Sequence, residues 1–244
     1  MDLKEMIYRR KSVRSFTGEP VDHETIEKIK AFGTELKPLY PNIKVHWDIV
    51  GKEAVKCILP WITPQLIAIY SEEPKGYLEN VGFIFQQLDL YLQSIGLGVC
   101  WLGMGRMSSD AVAGSASADN ASFVIMLAFG YPKGEARRSS AKEFKRKNLS
   151  EIADRYDERL EPARLAPSSV NSQPWYFTHD SEKIHVYCVQ QGFLKAKTIG
   201  YMNQIDIGIA LAHMYVENTA SFEMLAAEQA AALKGYTYIC SFKI

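Results

Sequence analysis

Arg10, Ser12 and Arg14 alternate along the chain near its N terminus. In an extended segment alternate residues share one face, so two guanidiniums and a hydroxyl would converge there. A guanidinium fork donates two parallel hydrogen bonds. That suits a phosphate, or a ring edge that becomes anionic on reduction. The competing explanation is a solvated basic terminus, since charge runs usually face water. Much further along stands Pro167-Ser168-Ser169-Val170-Asn171-Ser172-Gln173-Pro174-Trp175. Its two prolines stiffen a loop. The carboxamides of Asn171 and Gln173 each pair a donor with an acceptor, which matches a pyrimidine edge of the O4/N3–H kind. A polar turn before a strand uses similar residue types, but seldom this ordering of two amides, two hydroxyls and a tryptophan.

Gly96-Leu97-Gly98-Val99-Cys100-Trp101-Leu102-Gly103 offers glycines that let backbone approach a flat ligand, or that simply cap a helix. Cys100 reads as a small buried apolar residue rather than a nucleophile. Arg137, Arg138 and Ser139 would add a second positive contact to a phosphate, or form part of a charged linker. The sequence contains no HExxH, GxGxxG, P-loop or GxSxG motif. His23, His46, His179, His185 and His213 are scattered, and His213, on an apolar helix, reads as a satisfied core or interface residue. Cys57, Cys100, Cys188 and Cys240 form no C-x-x-C pair, which argues against a zinc site and a dithiol redox motif.

These motifs must be positioned by one large domain or two small ones, since the chain has 244 residues. Lys plus Arg (28) equals Asp plus Glu (28), giving a formal net charge of zero, so nothing global argues for nucleic acid or an anionic membrane. No apolar run approaches the roughly 20 residues of a bilayer span, and no apolar stretch follows the basic N terminus as a secretory signal would require. Cytoplasmic localisation with reduced thiols is the expectation.

Helical spacing over residues 1–10, an N-cap at Asp22 before Ile26 and Ile29, and an apolar run over 80–95 predict three helices. Gly18-Glu19-Pro20 breaks the first from the second, and Gly96 and Gly98 end the third. Residues 43–50, 64–70 and 123–129 read as strands, the last closed by Gly130-Tyr131-Pro132. The basic segment 133–147 is the candidate linker. Beyond it a helix is expected near 149–165, a hairpin over 175–178 and 183–189, an apolar helix over 203–217, a helix over 226–233 and a strand over 236–243. Placing Gly82 over Gly208 aligns the two long helices, and helix, strand, long helix, strand recurs. A diverged duplication of one α+β unit follows, unless two buried helices resemble each other only because both are apolar.

Taken together, the basic N terminus, the Gly96–Gly103 run, Gly130-Tyr131-Pro132 with Arg137-Arg138, and the Pro167–Trp175 turn resemble the nitroreductase family of FMN-dependent oxidoreductases. The motif order differs from that of ordinary members, where the proline-serine turn follows the first helix. Here residues 35–42 lack it, and the second half lacks the basic and glycine motifs. The resemblance is to the tandem, single-chain branch of Thermotoga type. It implies a nitroreductase-like α+β fold in which two diverged repeats, residues 1–135 and 136–244, form a pseudo-dimer around central helices.

Family sites lie across a subunit interface, so the resemblance implies one intact FMN site per chain. Arg10, Lys11 and Ser12 would meet the phosphate and ribityl side, and Arg14 the pyrimidine ring. Arg137 and Arg138 would close over the phosphate, and Leu102 and Gly103 would present backbone N–H to N5. Pro167, Ser168, Ser169 and Asn171 would come from the opposite half. The implied activity is NAD(P)H-dependent, ping-pong reduction of nitroaromatic or quinone-like small-molecule acceptors through flavin N5, with no catalytic side chain and no metal. The alternatives are an FMN-binding protein without turnover, or a flavin-destroying or dehalogenating relative. The interface would be internal, giving a monomer or weak homodimer, and the terminal strand would reach back onto the sheet of the first half.

Overall fold

Local signals decide where the helices begin in the computed structural model, which describes residues 2–57, 63–108, 120–190, 193–225 and 230–244, with backbone only for 193–199. Helix α1 (Leu3–Arg9) starts at Asp2, whose carboxylate accepts the Lys4 N–H, and an Arg9–Glu5 ion pair braces its exposed face. Helix α2 (His23–Gly33) starts at Asp22, which accepts from Thr25 N–H. Helix α3 (Tyr77–Ser94) is buried on nearly every face, as its apolar run requires.

Strands β1 (Val45–Gly51), β3 (Gln65–Ser71), β4 (Gly98–Leu102) and β6 (Ser122–Gly130) form an antiparallel sheet in the order β1-β3-β6-β4. The short strands β2 (Val55–Lys56) and β5 (Arg106–Met107) pair beside it. Alternation sorts its two faces: Ile67, Ile69, Leu127 and Phe129 join the main core, whereas Leu66, Met126 and Ala128 pack in a smaller cluster with Leu102. In the second half, α4 (Leu149–Ile152) and α5 (Glu161–Leu165) precede β7 (Trp175–Asp180), β8 (Lys183–Val189), α6 (Phe193–Glu217), β9 (Glu223–Met224) and β10 (Tyr236–Lys243). Their sheet runs β7-β8-β10-β9.

Helices α3 and α6 pack directly on each other, and the main core includes side chains from both helices and both sheets. Fully burying side chains such as Phe85 and Leu211 contributes about 1.5–3 kcal/mol each. The two helices meet at glycines. A Cβ on Gly82 would strike the Ile205 carbonyl, and a Cβ on Gly208 the Glu79 carbonyl. Flanking polar residues hold loops in matching fashion. Asn80 Oδ1 accepts Tyr40 N–H (2.9 Å) and Asp206 accepts Ser169 N–H (3.1 Å). Gln87 Nε2 donates to Lys37 O (2.8 Å) and His213 Nδ1 to Pro162 O (3.0 Å).

Several expectations are corrected. The helix expected over 149–165 is two short helices, because Ala153 is extended and bridges Phe177, while Asp154 accepts from both His179 N and Nδ1. The terminal strand does not join the first sheet. It pairs with β8 and β9, where Cys240 opposite Val186 and Phe242 opposite Ile184 bury cross-strand apolar pairs. The open edge of β4 is instead bridged by Ser12, with Val13 N–H donating to Val99 O (2.9 Å). Gly98 opens β4 rather than closing α3, and its missing side chain admits Val13. Helix α6 begins at Phe193, ahead of the expected start. Of the helix expected over 226–233, residues 226–229 lie outside the described residues and 230–233 are not helical. Segment 133–147 runs back along the N-terminal strand, where Arg138 N–H donates to Arg9 O (2.7 Å).

Candidate active site

A cavity of about 580 Å³ opens between the halves. The first half lines it with Ser12 and Arg14, with the β4–β5 stretch Cys100, Trp101, Gly103, Met104 and Arg106, and with Ile125. The second half supplies Pro167, Ser168, Ser169 and Val170 from the loop, and Tyr201, Met202, Ile205, Asp206 and Ile209 from α6. The volume lies within the range of pockets that enclose a drug-sized ligand.

Each wall has a visible cause. The bridge to Val99 holds residues 12–14 extended, so buried Val13 faces Gly98 while Ser12 and Arg14 line the cavity. Gly103 admits Met202, whose Cε lies 2.6 Å from where a Cβ would stand, and Gly103 O accepts from Tyr201 Oη (2.7 Å). Trp101 is fixed by a chain of hydrogen bonds. His213 Nδ1 must donate to Pro162 O, because a carbonyl only accepts, so His213 Nε2 accepts from Gln86 Nε2 (3.1 Å). Gln86 Oε1 is then left to accept Trp101 Nε1–H (3.1 Å). Burial, aided by the Arg10 charge, pushes the His213 pKa down to about 3, in keeping with this neutral tautomer.

The loop carries backbone strain, with Val170, Asn171 and Gln173 at φ of 47°, 57° and 48°. A β-branched residue rarely adopts this region, and Val170 is 86% exposed at the cavity mouth. Polar bonds hold the loop there. Ser169 N–H donates to both Asp206 oxygens (3.1 Å each), and Gln173 N–H to Ser168 Oγ (2.9 Å). Arg146 donates to Asn171 Oδ1 (2.7 Å), Asn171 Nδ2 donates to Lys145 O (2.9 Å), and Lys147 N–H donates to Gln173 Oε1 (2.7 Å). The amides of Asn171 and Gln173 thus support the loop, and neither residue lines the cavity.

Of the residues that the resemblance assigns to FMN, Ser12, Arg14, Gly103, Pro167, Ser168 and Ser169 meet at this cavity. The others stand behind its walls. Arg10 is buried, with Nε on Asp89 Oδ1 (3.2 Å). Lys11 N–H donates to Gln93 Oε1 (3.1 Å). Leu102 packs on the far face of the sheet. Arg137 caps the C terminus of α3 through Gln93 O (2.6 Å) and Ser94 O (3.2 Å). Arg138 binds Arg10 O and stacks on Phe144, 4.1 Å from the ring centre. Sequence reasoning missed Met104, Arg106, Tyr201, Met202 and Asp206. The signal for Asp206 was a lone acid inside an apolar helix. Cys100 lines the cavity, but burial pushes its thiol pKa up to about 11, against the pull of Arg14 and Arg10.

The family model described as "Putative TM nitroreductase" matches residues 2–218. The chain belongs to this nitroreductase family. A structure described as a "putative nitroreductase" from Thermotoga maritima is similar at 20% identity and a TM-score of 0.65, covering 99% of this chain and 92% of that one. The nitroreductase-like α+β fold is therefore shared over almost the whole length. A "Putative NADH dehydrogenase/NAD(P)H nitroreductase" from Bacteroides thetaiotaomicron is similar over 64% of this chain and 96% of that one, at 18% identity and a TM-score of 0.47. An "FMN-dependent Nitroreductase" from Clostridium difficile covers the same shares at 15% identity and a TM-score of 0.47. No curated protein matches the sequence. Among the described residues, no helix is long and apolar enough to cross a membrane, and no cluster of three or more His, Cys, Asp or Glu suits a metal ion.

Proposed function

We propose that the cavity binds FMN and that the protein is an FMN-dependent oxidoreductase of the cytoplasm, taking electrons from NAD(P)H and passing them to a nitroaromatic or quinone-like acceptor. The observation that carries this reading is the meeting of the N-terminal basic strand and the proline-serine loop at one cavity of about 580 Å³. The donor set fits the cofactor. Arg14 and Arg106 bring positive charge, Ser12 a hydroxyl, and Gly103 a backbone without a side chain in the way. Ile125, Ile205 and Ile209 offer apolar surface to a flat ring.

When bound, the flavin supplies hydride transfer through N5. Arg14 would favour negative charge on the pyrimidine side, and the backbone at Gly103, with Leu102 anchoring it from the far face of the sheet, would stand at the ring. Pro167, Ser168 and Ser169 close the opposite wall. Arg10, Lys11, Arg137, Arg138 and Asn171 act through these elements, by holding the strand and loop in place. The same open face serves donor and acceptor in turn, as ping-pong kinetics requires.

The chain is read here as a fused pseudo-dimer of residues 1–135 and 136–244. The Gly82/Gly208, Asn80/Asp206 and Gln87/His213 pairs, and the N-caps Asp22 and Asn148, all recur at one constant sequence offset. At Gly76, which that offset places opposite the cavity-lining Met202, the Tyr40 ring stands with Cε2 2.8 Å from where a Cβ would be. With the basic and glycine motifs absent from the second half, this ring packing supports one FMN per chain and a monomer whose family interface is internal. Flavin stoichiometry on reconstituted protein tests this: one per chain is expected, and two would contradict it. Steady-state oxidation of NADH or NADPH with a nitroaromatic is also expected. FMN-loaded protein that fails to turn over would replace the enzyme reading with a binding module.

A further inference from the structure

Asp206 stands on α6 at the cavity, 4% exposed, beside Met202, Ile205 and Ile209. Its hydrogen-bonding neighbours are the Ser169 N–H and the Ser172 hydroxyl, and no cation pairs with it among the described residues. Supporting a loop does not need an acid. On the other central helix a carboxamide, Asn80, accepts the Tyr40 N–H in the same way, and Asn80 does not line the cavity. The acid at 206 therefore answers to something besides the loop.

A buried carboxylate without a counter-charge costs several kcal/mol, so the group takes up a proton instead. Burial pushes its pKa up to about 8. A protonated carboxyl has an O–H to donate, and the Ser169 N–H, itself a donor, cannot receive it. Ser172 Oγ, buried beside the carboxyl and otherwise without a partner, is the competing protein acceptor. The other titratable or charged groups nearby are Cys188 on β8 and Arg14, Arg106, Cys100 and Tyr201 in the cavity walls. The arginines donate only, and the two thiols are held protonated by burial. The remaining space in front of the carboxyl is the cavity.

We propose that Asp206 is a ligand-contacting acid, whose carboxyl O–H donates a hydrogen bond to an acceptor atom of the bound molecule while its other oxygen holds Ser169. The ligand chemistry it selects is a carbonyl or ring-nitrogen edge, which the pyrimidine side of a flavin offers. The inference rests on the flavin reading of the cavity.

The test titrates FMN into wild type, Asp206→Asn and Ser172→Ala from pH 6 to 9.5, following flavin fluorescence. The infrared band of a buried protonated carboxyl is recorded on the proteins without FMN. In wild type the Kd is expected to rise about tenfold between pH 7 and pH 9, as the donor form is lost. Ser172→Ala keeps this dependence. At pH 6, where wild type holds the proton, Asp206→Asn keeps its fold and unfolds cooperatively, because the amide still accepts from Ser169, but it binds FMN independently of pH and lacks the carboxyl band seen in wild type at pH 7. A Kd with the same pH profile in wild type and Asp206→Asn overturns the assignment. So does a profile abolished by Ser172→Ala, or the absence of the band. FMN binding that is tight but flat with pH in wild type sinks this assignment alone. No FMN binding at any pH sinks the flavin reading, and this assignment with it.

Discussion

Replacing Gly208 with alanine tests how the halves are joined. A Cβ there would strike the Glu79 carbonyl oxygen and stand 2.8 Å from both its carbon and Phe83 N. Ordinary contacts lie near 3.5–4.0 Å, so the helices must part by roughly an ångström, and main-chain atoms cannot rotate aside. A gap of about 0.5–1 Å forfeits a quarter to a half of each dispersion contact beside it. Overpacking of this kind costs about 1–3 kcal/mol, or more where backbone blocks backbone. Alanine returns about 1 kcal/mol of helix propensity. We expect a net loss of about 2 kcal/mol in urea unfolding and a fall in Tm of about 4–8 °C. Gly82→Ala should behave alike. The double variant should lose less than the sum of the two, because one separation accommodates both methyls. A Gly208→Ala protein more stable by about 1 kcal/mol, as at an exposed helical glycine, would refute the close crossing.

Asp206→Asn should flatten the dependence of stability on pH. With the folded pKa raised to about 8 and the unfolded value near 3.9, the native state holds the extra proton in between, so wild type loses stability as pH rises through that window. The variant should gain on wild type from pH 5 to pH 8 by a few kcal/mol, with ~4 as an upper bound; parallel urea curves at the two pH values would contradict this. Removing Arg10 alone leaves Asp89 buried and unpaired, and Arg10→Ala is expected to cost about 3–5 kcal/mol. The double variant Arg10→Met/Asp89→Leu should recover much of it, and no recovery in chemical denaturation would show that the pair is not the cause. Cys100, with its pKa pushed up to about 11, should resist thiol reagents at pH 8 while the less buried Cys57 reacts. Mass mapping that finds Cys100 labelled first would overturn that.

Much of the scaffold was legible because its signals are local. Asp22 marked the start of α2, and the apolar runs at 64–70 and 123–129 marked β3 and β6. What escaped depends on distant partners. The expected helix over 149–165 breaks because Asp154 binds His179, a pairing that no local pattern announces. Residue pattern marked 236–243 as a strand, but not which strand lies beside it. At the site, Ser12, Arg14 and Ser168 were readable from residue type and spacing. Asn171 and Gln173 look the same in sequence whether an amide meets a ligand or braces its own loop. Arg10 and Arg137 likewise look like solvent-facing cations until Asp89 and the end of α3 are seen to claim them.

The Trp101–Gln86–His213 relay has a consequence for ligand breadth. It begins at the cavity's inner wall and ends on the carbonyl of Pro162 in the other half, so the indole cannot swing without losing its bond to a Gln86 that His213 holds in place. The back of the site is thereby keyed to the seam of the molecule. Differences in guest shape must be absorbed at the lips, where Met104 and Val170 stand in solvent on opposite sides of the opening.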